Sequence, residues 1–455
     1  MHVSYLHFSW LHLSYFFAVL AICGLSYQFL VIAGIVKFCR LPRLQPESDG
    51  ATPGRDEPEM PPISILKPLR GADPRMYKAF RSHCLQDYPA FEIIFGVAEA
   101  SDPAVVEVER LRREFPSRRI HLLVCPESLG TNRKVSTLAQ LLPLARYDLL
   151  LINDSDILVP PGYLRQIAAG FAARGAAAGR TGMVTALYRA AGNPNKPTTG
   201  LSGTPADNPN KPTTGLSGTP VDNPNKPTAG LSGTPVAGST LASRLEALTI
   251  ATDFAGGVLS AYALEGRLSF GLGSTLAVRR EALEAIGGLS PLLDYAADDY
   301  ELGNRIARAG FDVVLAPLVV ETALPGATFG EMFQHQLRWA RTIRDRRLGG
   351  YIGLGVTHVL PWALLACLCS GLAGWSLGLL AMAALLRFAV AAALCTSVLH
   401  DEAADLDLWL LPLRDVVALL VWITSFAGNT VVWRGERFRI SEGKLQKLGS
   451  GTHHN

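Results

Sequence analysis

The sequence predicts an α/β domain built on a parallel sheet and tethered to a membrane by helices at both ends. Three observations carry that prediction. Short apolar strands alternate with helical stretches from residue 63 onward, the order that builds parallel sheets. One strand, Leu149–Ile152, runs straight into Asp154-Ser155-Asp156, and open α/β sheets bind ligands beyond the carboxyl ends of their strands. Long apolar runs flank this region on both sides, as membrane spans would.

Composition sets the class. Of 455 residues, 49% are hydrophobic and 18% charged, a balance that points to a membrane before any window is read. Net charge is +3, from 42 basic and 39 acidic residues, too small to suggest nucleic acid as a partner. The seven cysteines follow no zinc spacing and no disulfide framework, which suits a reducing, cytosol-facing domain.

Residues 15–38 are apolar, with Gln28 the one strongly polar interruption before Lys37. Lys37, Arg40 and Arg43 follow this run rather than lead it, the order of an uncleaved anchor whose carboxyl side stays in the cytoplasm. Residues 1–44 are therefore an anchor, and 45–62, rich in Pro, Glu, Asp and Gly, a linker. A domain over 63–330 begins with strands at 63–66 and 91–97, a helix over 104–115 and a strand over 120–125. A helical stretch after Gly130-Thr131-Asn132-Arg133-Lys134 then leads to the Asp-Ser-Asp strand. In extended backbone, side chains two apart share a face, so Asp154 and Asp156 converge. Two carboxylates at one point repel unless a cation lies between them, and Mg²⁺ or Mn²⁺ bridging to a diphosphate supplies one. An Asx-rich turn capping the next helix would use the same residues.

Residues 193–237 are three near-identical fifteen-residue units, Asn-Pro-Asn-Lys-Pro-Thr-Thr-Gly-Leu-Ser-Gly-Thr-Pro-Ala-Asp and two close copies. Pro and Gly recur and no apolar face forms, which predicts a disordered insertion rather than a solenoid. The apolar pattern resumes at 241–248, and a glycine-bearing strand over 270–278 precedes a helix over 280–286. Asp298-Asp299-Tyr300-Glu301 opens a helix that Gly310 closes. Thr328 and Glu331 have capping-box spacing. They start a basic amphipathic helix, 331–350, that mixes five arginines with Met332, Leu337 and Trp339 and predicts an interfacial element. Apolar runs at 351–371, 377–399 and 408–433 make a membrane region, and 434–455 a basic cytoplasmic tail. Three crossings would put that tail outside. One run is therefore expected to be re-entrant or interfacial, either the third, with Pro412, Arg414 and Asp415, or the Pro361-bearing first.

Six stretches, in order, carry a family resemblance: Leu66-Lys-Pro-Leu-Arg-Gly-Ala-Asp-Pro74, Tyr88-Pro-Ala-Phe-Glu-Ile93, Gly130-x-Asn-x-Lys134, Asp154-Ser-Asp156, Asp299-Tyr300 and Arg338-Trp339. Together they resemble the ceramide glucosyltransferases and their bacterial relatives, including hopanoid-linked sugar transferases. The resemblance spans nearly the whole chain apart from the repeats. It implies a GT-A fold, a Rossmann-like nucleotide-sugar domain. The implied reaction is inverting transfer of glucose or N-acetylglucosamine from a UDP-sugar to the hydroxyl of a membrane lipid, ceramide or a hopanoid. The expected setting is the cytoplasmic face of a membrane, in bacteria the inner membrane.

The resemblance also implies roles. Its first acidic position, for the nucleotide, holds Glu99 where the family usually has Asp, with Asp102 nearby. Asp154 and Asp156 serve metal and diphosphate, with Mg²⁺ or Mn²⁺ as the ion. Asp299 is the base, with Asp298 beside it. Arg338 and Trp339 close over donor and acceptor, while His335 stands where the motif normally begins with Gln or Arg. Lys134 would neutralise phosphate, and Lys67 and Asp73 would lie near the uridine. Plainer readings compete. Asp299 also fits a helix-dipole carboxylate, Arg338 and Trp339 fit interfacial anchors, and Lys134 fits a solvated helix-start lysine. His335 fits a packing residue, and Arg434 and Arg437 fit either a topology signal or a return to the site. Two rival functions remain. A processive polysaccharide synthase shares the domain but usually has more spans. A non-enzymatic membrane-tethered repeat protein would not need carboxylates at strand ends.

Overall fold

Aliphatic residues dominate Ile63–Pro68 (β1), Phe91–Val97 (β2), Arg119–Val124 (β3) and Leu149–Ile152 (β4). Runs of that kind suit strands covered on both faces. In the computed structural model, which describes residues 2–42, 60–73, 75–172, 180–191, 240–324, 327–433 and 435–448, these four pair in parallel in the order β3-β2-β1-β4. Helices Met76–Cys84, Ala104–Glu114 and Arg133–Leu141 make the crossovers, as parallel pairing requires. The α/β, Rossmann-like expectation holds here. Most of the linker and all of the repeats at 193–237 lie outside the described residues.

The other half of the sheet corrects the parallel reading. Ile157–Leu158 (β5), Thr181–Ala190 (β6), Leu276–Arg279 (β7) and Asp312–Thr322 (β8) complete an eight-stranded mixed sheet, β3-β2-β1-β4-β7-β6-β8-β5. β7 runs antiparallel to both β4 and β6, and β5 antiparallel to β8. A strand buried on both faces reads as the same apolar run whichever way it points, so composition carried no direction. The strand expected over 270–278 is shorter than predicted. A turn closed by Thr275 N–H on Leu272 O (3.0 Å) occupies its first half, and Gly271 and Gly273 interrupt the ladder there.

Alternate residues of β4 enter two different cores. Leu149 and Leu151 pack with Ile65, Phe80, Phe95 and Tyr163. Leu150 and Ile152 belong to a cluster that also holds Val31, Phe38, Leu259 and Leu394 from the apolar helices. The sheet therefore sits directly on the helical bundle through one continuous core.

Among the described residues, four helices are long and apolar enough to cross a membrane: Trp10–Cys39, Leu241–Glu265, Gly374–Leu399 and Leu408–Ser425. A bent pair, Leu348–Thr357 and Val359–Cys369, turns by 61° in the Pro361-bearing run. Leu241–Glu265 was not expected in this class, because Arg244, Glu246 and Asp253 break its apolar run. The helix of the third predicted run, Leu411–Ser425, is flanked on both sides by polar contacts. Asp407, just before it, accepts from Arg244 Nε (2.8 Å), and Asn429, just after it, accepts from Arg344 Nη2 (2.5 Å) on the basic helix Phe329–Arg346. The capping box of Thr328 and Glu331 starts that basic helix as expected.

The tail is also more than a basic extension. Thr430–Trp433 (β9), Glu436–Ser441 (β10) and Lys444–Lys447 (β11) form a three-stranded antiparallel sheet. It docks on the domain that carries the eight-stranded sheet through Leu445 N–H to Asp294 O (2.7 Å) and Ala296 N–H to Gly443 O (3.0 Å). Tail and sheet domain thus share a side.

Candidate active site

The turn after β4 is held from beneath. Lys67, fully buried on β1, donates from Nζ to Asp154 O at 3.0 Å. Burial pushes its ammonium down to about 7, against the pull of Asp156 and Asp154. The sequence placed Lys67 near the uridine; here it supports the main chain of the Asp-Ser-Asp turn from inside the core. Asp73 hydrogen-bonds Ser155 in the same turn. Asp156 accepts from Thr322 Oγ1 at the end of β8 (2.5 Å). Its carboxyl is pushed up by burial and then by the charge of Asp154.

A second acidic group meets this turn from 140 residues away. Asp298 and Asp299 open the helix Asp298–Arg308. Lys134 bridges the two groups, with Nζ 2.8 Å from Asp154 Oδ1 and 3.3 Å from Asp298 Oδ2. Burial lowers the Lys134 pKa, but Asp154 and Asp298 overcome it and the net shift is upward. Asn132 caps the Lys134 helix and donates from Nδ2 to Tyr295 O (2.9 Å) and Asp298 Oδ1 (3.3 Å). Gly273 marks how close the groups come. A Cβ there would stand 3.0 Å from Asp299 Oδ2 and 3.8 Å from Asp154 Oδ2, so a side chain would fill the gap they enclose. Burial, then the neighbouring Asp298 charge, raises the Asp299 carboxyl to about 6, with Lys134 opposing. A carboxyl poised near neutrality is suited to taking a proton.

Asp154, Asp156, Asp298, Asp299, Lys134, Asp73, Glu99, Asp102, Arg338 and Trp339 all line one cavity of about 1560 Å³. The two candidates for the first acidic position differ there. Both oxygens of Asp102 accept from Gly71 N–H (3.0 Å each), and Oδ1 also caps Ala104 N–H (2.9 Å). Glu99 is exposed at the cavity wall, which leaves it the freer carboxylate. Arg338 places its guanidinium over the Trp433 ring (5.5 Å). His335 pairs with Glu246 and packs on Trp339 with centroids 4.6 Å apart.

Several lining residues gave no sequence signal. Tyr188 and Phe254 pack at 4.7 Å and join Trp339 in the wall, with Phe254 and Trp339 6.4 Å apart. Trp433 and Glu436 reach the cavity from the tail sheet, whereas Arg437 is exposed and Arg434 lies outside the described residues. A lone aromatic at a strand end looks like any core residue. Only the packing of β6 against the apolar helix brings Tyr188 and Phe254 together.

The donor set fits a hard divalent ion. Asp154 and Asp156 offer carboxylate oxygens, and the upward shift at Asp156, caused by burial first and by the Asp154 charge second, is one that a bound cation would oppose. Among the described residues no group of three or more His, Cys, Asp or Glu is placed to hold an ion by itself. The fit is therefore to Mg²⁺ or Mn²⁺ completing its shell with water and substrate phosphates.

A family model, glycosyl transferase family 21, matches residues 16–198 and 225–446. A ceramide glucosyltransferase of Komagataella phaffii is 36% identical over 111 residues, which are 24% of this chain and 22% of that protein. Ceramide glucosyltransferase 1 of Caenorhabditis elegans is 31% identical over 112 residues, 25% of this chain and 24% of that protein. The aligned stretches thus span under a quarter of these curated relatives. Among solved structures, a mannosyltransferase from Pyrobaculum calidifontis in complex with GDP-Man and Mn²⁺ superposes with a TM-score of 0.45. It has 16% identity over 90% of this chain and 99% of that one.

Proposed function

This chain belongs to glycosyl transferase family 21, and from that premise we propose that it transfers one sugar from a UDP-sugar to the hydroxyl of a membrane lipid, with inversion. One observation carries the reading. Acidic groups from residues 154–156 and 298–299, joined by Lys134, line a cavity that continues between apolar helices. A nucleotide needs the first part and a lipid needs the second.

The lipid hydroxyl attacks the anomeric carbon and passes its proton to Asp299. The bond from that carbon to the diphosphate oxygen breaks, and UDP leaves with the electron pair. Asp154 and Asp156 would hold Mg²⁺ or Mn²⁺, which when bound supplies positive charge for the leaving diphosphate. Lys134 adds a fixed cation beside Asp154, Glu99 faces the nucleoside, and Arg338 and Trp339 bound the sugar and acceptor. The chain is read as an integral membrane protein with this site on the cytoplasmic face, since the basic residues Lys37, Arg40 and Arg43 sit at the domain end of the anchor. Ceramide and hopanoid are the acceptor classes the family resemblance suggests, and glucose and N-acetylglucosamine the donor sugars.

The test is incubation of membranes bearing the protein with each UDP-sugar, followed by mass spectrometry of the lipids. The expected product is a hydroxylated lipid heavier by one hexose or one N-acetylhexosamine. A ladder of sugar additions would favour a processive synthase instead. No UDP release with any donor would overturn the proposal.

A further inference from the structure

The strands beneath the two acidic groups lose their main-chain ladder before they reach the site. The last pair that joins β4 to β7 is Ile152↔Leu276. Asp154 stands two residues beyond it on one strand, and the Leu272–Thr275 turn, with Gly273 against Asp299, precedes it on the other. Side chains continue the joint. Asn153 donates from Nδ2 to Ser274 O (2.7 Å) and to Tyr163 Oη (3.0 Å), and its Oδ1 lies 3.3 Å from His83 Nε2. A further hydrogen bond joins Tyr163 Oη to Thr275 Oγ1 (3.1 Å).

Tyr163 is the shared member. It opens the helix Tyr163–Ala172, a third element, and its hydroxyl touches both sides of the gap. Asn153, Tyr163 and Thr275 are each 0% exposed. Burial pushes the Tyr163 hydroxyl up to about 12, against its bonds to Thr275 and Asn153, so it stays neutral and can donate and accept at once. Thr185 steadies the turn from the other side, donating to Thr275 O (2.7 Å) and accepting from Leu272 N–H (3.0 Å). A buried polar network with its members bonded stiffens whatever it joins. Packing alone asks for no hydroxyl here. The Tyr163 ring shares a core with Ile65, Phe80, Leu149 and Leu151, where phenylalanine would fill the same space.

We propose that the Tyr163 hydroxyl, bonded to Asn153 and Thr275, sets the distance between Asp154 and Asp299, which makes Tyr163 a positioning residue for sugar transfer. The inference rests on the proposed roles of Asp154 at the metal-bound diphosphate and of Asp299 as the base. In an in-line displacement the leaving diphosphate and the attacking hydroxyl stand on opposite sides of the anomeric carbon. The groups that serve them must therefore keep one separation, and binding each substrate well is not enough. Without the Tyr163 hydroxyl both carboxylates remain available to bind, but the ends of β4 and β7 move independently. The loss falls on kcat rather than KM.

The test separates alignment from folding. Full-length protein in nanodiscs is assayed with Mn²⁺ and each pairing of UDP-glucose or UDP-N-acetylglucosamine with a short-chain ceramide or a hydroxylated hopanoid. Turnover is divided by the number of sites that bind Mn²⁺ with UDP, so unfolded protein does not count as slow protein. Tyr163→Phe should lose about tenfold or more in kcat per site, with both KM values and the UDP affinity within about twofold of the wild type. Thr275→Val cuts the same bond from the other end and should lose a similar factor. The double variant should be no slower than the slower single one, and losses that multiply would overturn the shared bond. Unchanged kcat per site in Tyr163→Phe, or a loss matched by weakened UDP binding, would overturn the inference while the proposed function stands. A wild type that transfers no sugar in any pairing overturns the proposed function, and the inference falls with it.

Discussion

Asp299 concentrates the chemistry at the scale of single residues. Its carboxyl lies near 6 because it is buried and because Asp298 stands beside it. If it is the base, kcat/KM should climb through about pH 6 as it ionises. Asp298→Asn removes a like charge, so the rising limb should move to lower pH. A limb that stays put would assign the base elsewhere. Stability should move the other way. The native carboxyl holds its proton more tightly than the unfolded one, near 3.9, so ionisation costs the fold nothing below pH 4. The cost grows toward pH 6 and is constant above it. Asp299→Asn should therefore raise the melting temperature at pH 7.5 and lose that advantage near pH 4, while abolishing transfer. Asp154 and Asp156 could be singled out in the sequence because they stand two apart at the end of an apolar strand, whereas Asp299 was marked by the family resemblance, since a carboxylate at a helix start is common. Gln28 was visible only as a flaw in an apolar run.

Elements decide how firmly those residues are presented. The loop before Asp298 is gripped from two sides. Thr131 donates from N–H and Oγ1 to Asp294 (2.9 Å each), and Asn132 holds Tyr295 O. From the other side the tail sheet bonds Asp294 and Ala296, while Arg305, Arg346 and Lys444 gather over the Tyr295 ring. A chain ending at Asn429 would free that second side. Since small misplacements of reacting groups are expensive, kcat/KM for the UDP-sugar should fall about tenfold or more with helix content unchanged by circular dichroism. Unaltered kinetics would make the sheet dispensable. This sheet escaped the sequence reading because Arg, Glu and Lys fill its exposed positions, leaving Val431, Phe438, Ile440 and Leu445 as isolated apolar residues. The parallel strands β1, β2 and β4 were legible from their unbroken aliphatic runs. β6 and β8, parallel to each other but antiparallel to β7 and β5 respectively, were not, since pairing direction is settled by connections, and one of those carries the repeats.

Across the whole molecule, a buried ionic cluster at the cavity wall, in which Arg387 and Arg414 each pair with both Asp253 and Asp415, pins three separate helices. Asp253 comes from the apolar helix after the repeats, Arg387 from Gly374–Ala393, and Arg414 with Asp415 from Leu411–Ser425. Two positive and two negative charges cancel within it. Removing one member strands a buried charge, at a cost of about 3–5 kcal/mol, whereas replacing a whole pair by apolar groups is often close to neutral. Arg387→Met should thus sharply lower thermal stability in detergent, and adding Asp415→Leu should restore most of it, because Asp253 and Arg414 remain paired. Catalysis should not recover in step. Asp253 would have lost the Arg387 contact that fixes one of its oxygens, so acceptor KM should stay raised in the stable double variant while UDP affinity is normal. Recovery of both together would mean that the cluster serves the bundle alone. A split between them would show that one set of charges holds the helices together and also aims the acceptor at Asp299.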